Sequence, residues 1–121
     1  MATVLVVDDS PTEQHVCRKI LEKHGFEVAS VEDGEKSLET ARVLQPELIL
    51  MDVVMPGMNG FQATRQLNRN PDTAHIPIII ITTKDQETDR VWGMRQGARD
   101  YIVKPVTERQ LIASVKAVLA D

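Results

Sequence analysis

At 121 residues the chain is the size of one ordinary domain, and its 42% hydrophobic content is enough for a core, which must be aliphatic because Phe, Trp and Tyr together make up only 3%. A net charge of -4 and a pI near 5.3 weigh against nucleic acid as a direct partner, since phosphate backbones need a basic face. The single cysteine, Cys17, excludes an internal disulfide, and no apolar run approaches the ~20 residues of a membrane span. The chain enters a strand almost at once, without the basic and apolar regions of a signal peptide, so a soluble cytoplasmic domain with no membrane insertion is expected.

Val4-Leu5-Val6-Val7 is a short apolar run ending in Asp8-Asp9 and reads as the first strand. Ser10-Pro11-Thr12-Glu13 then carries three helix-start signals: Ser as N-cap, Pro at the first helical position, and Glu three residues after the cap. That helix has an apolar stripe at Val16, Cys17, Ile20 and Leu21 and stops at Gly25; Cys17 in this stripe reads as a buried core thiol. Phe26 to Val31 is a weaker strand, and Asp33-Gly34 opens a helix with Leu38, Ala41 and Leu44. After Pro46, Leu48-Ile49-Leu50-Met51 is continuously apolar, the pattern of a strand buried on both faces, and it ends on Asp52. Asn59 can cap a third helix through Phe61, Ala63, Thr64 and Leu67, ended by Asn70-Pro71-Asp72. Ile78-Ile79-Ile80-Ile81 is the plainest buried strand, ending in Thr82-Thr83. A fourth helix holds Val91, Trp92 and Met94 and closes at Gly97. Tyr101-Ile102-Val103 is a brief last strand followed by Lys104-Pro105. Thr107 with Gln110 reads as a capping box for a final helix through Leu111, Ile112, Val115, Val118 and Leu119.

Strands alternating with helices at this spacing predict an α/β fold, a doubly wound five-stranded parallel sheet with helices on both faces. No linker, repeat or low-complexity tract interrupts it. Residues 1–121 are therefore expected to form one domain with no separate output module.

The polar residues fall at the strand ends: Asp8 and Asp9 after the first, Asp52 after the third, Thr82 after the fourth, Lys104 after the fifth. Carboxyl ends of parallel strands share one edge of the sheet, where such folds bind ligands. Taken singly these residues have ordinary readings: turn chemistry for Asp8-Asp9, a cap on the next turn for Asp52, a continuation of the strand for Thr82, a solvated charge for Lys104. Together they place three carboxylates, a hydroxyl and an ammonium on one rim. Three carboxylates in one cleft repel, and without a counter-charge one would hold its proton. Carboxylate oxygens without His or thiolate are hard ligands that suit Mg²⁺, which takes one or two carboxylates plus a phosphate. An Asp can attack phosphorus to give an aspartyl phosphate, with the cation, Lys104 and Thr82 neutralising the equatorial oxygens.

In these residues the chain resembles the receiver domain of response regulators, the CheY-type phosphoacceptors of two-component signalling. The resemblance spans essentially the whole length. It rests on Val7-Asp8-Asp9-Ser10, Met51-Asp52, Met55-Pro56-Gly57-Met58-Asn59-Gly60, Thr82-Thr83, Gly97-Ala98 before Asp100-Tyr101, and Lys104-Pro105. It implies a strand order of 2-1-3-4-5. It implies Asp52 as phosphoacceptor, Asp9 as a direct Mg²⁺ ligand, Asp8 as a ligand acting through water, and the main-chain carbonyl of Val54 as a third protein ligand. It further implies Thr82 and Lys104 as the groups that meet the phosphoryl oxygens, Thr82 with Tyr101 as the switch, and a cis Lys104–Pro105 bond. Without the family, Tyr101 reads as a half-buried strand residue with its hydroxyl in water. Trp92 reads as core or helix-surface packing rather than a ligand platform.

A finer similarity, in Asp9-Ser10-Pro11-Thr12-Glu13, Phe61 to Leu67 and Thr83 to Asp89, is to the stand-alone receivers of the PilH type, which serve the chemosensory system of type IV pili and twitching motility. It implies a CheA-like histidine kinase as phosphodonor and a downstream protein, not identified by the sequence, docking on the face of helix 4, strand 5 and helix 5. The protein would be an acceptor and at most a slow autophosphatase, not an enzyme. Val54 and Lys84 would flank the path of a hydrolytic water, and an apolar Val54 predicts slow loss of phosphate. Their plainer reading is two side chains pointing to solvent.

Other classes stay open. A haloacid-dehalogenase-type phosphohydrolase also uses an Asp nucleophile, but places its two acids two residues apart, where Asp8-Asp9 are adjacent. A pseudo-receiver would use the fold without phosphorylation. A flavodoxin-like FMN carrier would need a phosphate cradle unlike Ser10-Pro11-Thr12-Glu13. The domain could also drain phosphate from a sister regulator.

Overall fold

A computed structural model of the chain describes residues 2–120. Five parallel strands alternate with five helices: β1 (Thr3–Val7), α1 (Pro11–Lys23), β2 (Glu27–Val31), α2 (Gly34–Leu44), β3 (Leu48–Met51), α3 (Gly60–Arg69), β4 (Ile78–Thr82), α4 (Glu87–Arg95), β5 (Asp100–Val103) and α5 (Glu108–Leu119). The sheet order is β2-β1-β3-β4-β5, with every neighbouring pair parallel, as the resemblance implies. Val7 pairs with Met51 and Thr82 with Val103, so the strands end nearly level and their following residues meet on one edge.

The alternation of side chains along a strand divides the core in two. Val4 and Val6 of β1, Leu48 and Leu50 of β3, and Ile79 and Ile81 of β4 face α1 and α5, where Leu21, Leu111 and Val115 cover them. Leu5, Val7, Ile49, Met51 and Ile78 face the opposite way, onto Ala41, Ala63 and Leu67 of α2 and α3. A third, smaller cluster joins Val53, Phe61, Ile80, Ala98 and Tyr101 beneath α4. The central strands are therefore apolar on both faces, and each large aliphatic side chain so buried stabilises the fold by roughly 1.5–3 kcal/mol. β2 lies at the edge with none of its residues fully buried, which is why it reads weakly in the sequence.

Helix ends follow the sequence signals. Ser10 Oγ accepts the Glu13 amide hydrogen behind Pro11, and Asn59 and Gln62 exchange side-chain-to-amide bonds in a full capping box. One expectation is corrected. Thr107 accepts the Gln110 amide hydrogen, but the reciprocal half of the predicted box is not formed. On α4 the apolar Val91, Trp92 and Met94 face outward, 41%, 48% and 39% exposed, and the buried residue of that helix is Gly93. A side chain at Gly93 would meet Ile80 and the Tyr101 ring at 2.9–3.1 Å, so glycine lets α4 close onto the ring. Among the described residues, no helix is long and apolar enough to cross a membrane.

Candidate functional site at the carboxyl edge of the sheet

The edge after β1, β3 and β5 gathers the predicted charges. Carboxylate oxygens of Asp8, Asp9 and Asp52 lie within 4.8 Å of one another. Asp8 and Asp52 are nearly buried, while Asp9 is exposed, which opens the cluster to solvent on one side. Local bonds fix the two buried carboxylates: Asp8 Oδ1 accepts the Ser10 amide hydrogen at 2.9 Å, and Asp52 Oδ1 accepts that of Val53 at 2.7 Å. Each leaves its second oxygen facing the cleft.

Lys104 reaches this pair from the end of β5. Its Nζ donates to Asp8 Oδ2 at 2.8 Å, lies 3.4 Å from Asp52 Oδ2, and stands 3.7 Å from Glu13 Oε2. Burial pushes the Asp52 carboxyl above the usual carboxylate range; Lys104 pulls it down, and Asp8 adds to the rise. Burial pulls the Lys104 pKa down, but its bond to Asp8 and the charges of Asp52, Asp8 and Glu13 outweigh that and hold it above the usual lysine value. The ammonium is thus the counter-charge for two facing carboxylates, a role the sequence reading gave mainly to a metal. The Lys104–Pro105 bond is cis, as the resemblance implies.

The donor set fits a hard divalent cation: three carboxylates converge, with no His or thiolate among them, and one stays open to water. The grouping matches the chemistry of Mg²⁺ better than that of Zn²⁺, which prefers nitrogen and sulfur.

Thr82 closes β4 and is fully buried, its Oγ1 accepting the Lys84 amide hydrogen at 3.4 Å. Lys84 also links the hydroxyl to the aromatic, because the Tyr101 hydroxyl donates to the Lys84 carbonyl at 2.8 Å. The reading of Tyr101 as half-buried with a wet hydroxyl is therefore corrected: it is 4% exposed, its ring packs on Gly93, and burial raises its pKa to about 12. The Val54 side chain is 56% exposed, and Lys84 Nζ stands 3.8 Å from Asp89.

Two supporting residues escaped the sequence reading, and a third, Gly60, entered it only as the end of the Met55-to-Gly60 stretch, without its structural role. Gln14 donates through Nε2 to the carbonyls of Asp8 and Val31, holding the loop that carries both N-terminal carboxylates. Glu35 of α2 accepts the Met58 amide hydrogen and stands against Gly57, tying down the loop after Asp52. Gly60 lies against the Asp52 carbonyl so closely that no β-carbon fits, and its amide hydrogen bonds to Val53 O at 2.9 Å. Gln14 and Glu35 sit on exposed or half-exposed helix positions with no pattern to mark them. Glycine at the first position of a helix was the available signal for Gly60.

Residues 4–116 match the response regulator receiver domain model. The chain is 58% identical to protein PilH of Pseudomonas aeruginosa over 120 residues, covering 99% of both chains. It superimposes on chemotaxis protein CheY4 of Vibrio cholerae with a TM-score of 0.91 at 30% identity, covering 98% of each chain. The receiver domain of a sensor histidine kinase from Pseudomonas aeruginosa PAO1, solved with a magnesium ion coordinated in its active-site cleft, gives a TM-score of 0.91 at 28% identity over 99% of this chain and 98% of that one. With a family match over nearly its whole length, and a fold and acidic edge of the expected kind, the chain belongs to the response regulator receiver domain family.

Proposed function

We propose that this protein is a stand-alone response regulator that accepts a phosphoryl group on Asp52 from a histidine kinase of the CheA-like kind. The observation that carries the reading is the meeting of Asp52 with Asp8, Asp9 and the Lys104 ammonium at one half-open edge. Asp8, Asp9, Asp52 and the Val54 carbonyl would hold a Mg²⁺ ion, which when bound supplies positive charge against the phosphoryl oxygens. An Asp52 oxygen attacks the phosphorus of a phosphohistidine; the P–N bond breaks as the P–O bond forms, and the imidazole leaves with the electron pair. Lys104 is near enough to Asp52 to exchange its carboxylate contact for a phosphoryl oxygen. Thr82 supplies a hydroxyl at the adjacent strand end.

The readout runs through the Lys84 peptide. A Thr82 hydroxyl drawn to a phosphoryl oxygen gives up the Lys84 amide, whose carbonyl is the Tyr101 partner. The inward Tyr101 is one packing of a two-state element that phosphorylation biases. Exposed Val91, Trp92, Met94 and Val103 lie on α4 and β5 and offer the apolar contacts a downstream protein would use, with α5 completing the face. The identity to PilH supports a role in the chemosensory control of twitching motility, in the cytoplasm. The protein acts as an acceptor that loses its phosphoryl group slowly and has no turnover on small substrates.

The test is incubation with acetyl phosphate, with and without Mg²⁺, followed by intact mass of wild type and Asp52→Asn. One added phosphoryl group in wild type alone, dependent on Mg²⁺, is the expected result. Equal labelling of both proteins, or none in either, overturns it.

A further inference from the structure

Away from the acidic edge, α3 and α4 flank a groove of about 410 Å³ lined by Arg65, Asn68, Arg69, Trp92, Arg95 and Gln96. Its volume lies within the range of small-molecule sites. Arg65 and Arg69 stand four residues apart on α3, an arrangement in which like charges destabilise a helix. Residues 60–69 contain no Asp or Glu to offset them, and residues 90–99, which supply Trp92 and Arg95, contain none either. In a chain of net charge -4, these three guanidinium groups make no ion pair or hydrogen bond among the described residues. Glu35, which borders the adjoining groove beside Arg65 and Arg69, is engaged by the Met58 amide. Arg69 and Arg95 lie in the last turns of their helices, where the helix dipole favours a cation; Arg65 lies a turn earlier and draws less from it.

The wall opposite is aromatic. Trp92 is 48% exposed on α4, three residues before Arg95, so indole and guanidinium share one helical face. The groove is held in shape: a β-carbon at Gly97 would fall 2.5 Å from the Asn68 side chain, and buried Gln96 donates to the Trp92 carbonyl. Guanidinium forks match phosphate oxygens, and an indole face takes a planar ring. We infer that the α3–α4 groove binds a nucleoside polyphosphate, its phosphates on Arg65, Arg69 and Arg95 and its base against Trp92. Because Trp92 stands on α4, occupancy would bear on the same helix that covers Tyr101.

Trp92 is the only tryptophan, so indole fluorescence of the unphosphorylated protein, with no other protein present, reports on this groove. Titration of the whole chain with ATP in EDTA, excited at the red edge of indole absorption and repeated by calorimetry, should give saturable quenching. Adenosine and pyrophosphate should each bind about tenfold or more weaker, because each supplies only half of the contacts. Arg65→Gln with Arg69→Gln should weaken ATP by about tenfold or more while leaving the acetyl phosphate labelling rate unchanged. Far-UV circular dichroism and a thermal melt of that variant confirm that it is folded. Absence of saturation at about millimolar ATP, pyrophosphate binding as tightly as ATP, adenosine quenching equally well, or a poly-glutamate peptide outcompeting ATP would each overturn the inference.

Discussion

Replacing Gly60 by alanine places a methyl group against the backbone that carries Asp52. An ideal Cβ there falls 2.7 Å from the Asp52 carbonyl carbon and 2.8 Å from Val53 Cα, with the carbonyl oxygen nearer still, whereas ordinary contact begins at 3.4 Å. These neighbours are main chain, so no rotamer change relieves the overlap. The first turn of α3 must retreat, and the Gly60–Val53 hydrogen bond stretches with it. Overpacking of this kind costs about 1–3 kcal/mol, and the weakened bond adds about 1 kcal/mol. The gain in helix propensity from Gly to Ala, at most about 1 kcal/mol, is smaller in a first turn. A net loss of about 2–3 kcal/mol lowers the midpoint of thermal unfolding by roughly 10 °C for a domain of this size. Far-UV circular dichroism melts measure the stability, and acetyl phosphate labelling followed by mass measures the site, which should slow as Asp52 is displaced. A variant that melts within about 2 °C of wild type and labels at the same rate would refute the reasoning.

Val54→Asn puts an amide at an exposed rim position where valine offers no group to orient water, so decay of the aspartyl phosphate, followed by mass over time, should quicken several-fold; an unchanged lifetime sinks the idea. Lys104→Met leaves Asp8 and Asp52 facing without a counter-charge, so calorimetry should show Mg²⁺ binding tighter than in wild type while labelling slows; weaker Mg²⁺ binding contradicts the competing role given to the ammonium. Burial first, and then Asp8, push the Cys17 thiol from 9.0 up to about 11, so the folded state favours the protonated thiol. That contribution, about 2–3 kcal/mol, is fully present below the unfolded pKa and is lost as pH rises through the folded one. Urea melts across the alkaline range should show wild type weakening more than Cys17→Ala, with Tyr101 acting in the same direction at higher pH; parallel curves would contradict it. Gln14→Leu strips the Asp8 and Val31 carbonyls of their shared donor, and Mg²⁺ affinity should fall several-fold with little change in secondary structure; unchanged affinity would remove Gln14 from the supporting set.

The central strands were legible because burial on both faces leaves nothing but aliphatic residues, as in Ile78 to Ile81, and a helix on either side is then required. The gathering of Asp8, Asp9, Asp52 and Lys104 was legible for a related reason: a charge that ends an apolar strand in a parallel sheet has only one edge to occupy. What the sequence hid were contacts with the backbone. Tyr101 is satisfied by the carbonyl of a residue seventeen positions away, and nothing in the side-chain pattern marks that acceptor. On α4 the contact with the sheet is made by Gly93, which has no side chain for an apolar pattern to mark. Glu13 read as a helix-start residue, which it is, but its approach to Lys104 depends on a strand ninety residues later.

The ion pair between Lys104 and Asp8 joins positions 96 residues apart, from the last strand to the first. During synthesis, both carboxylates leave the ribosome well before that lysine, so the ammonium that sits between them is the last of these charges to arrive. The charge balance of this edge is therefore completed only when β5 docks on β4. A chain cut short before that strand would carry Asp8 and Asp52 without the ammonium that sits between them, so under the proposed function truncated copies would not compete with the intact protein for a phosphoryl group.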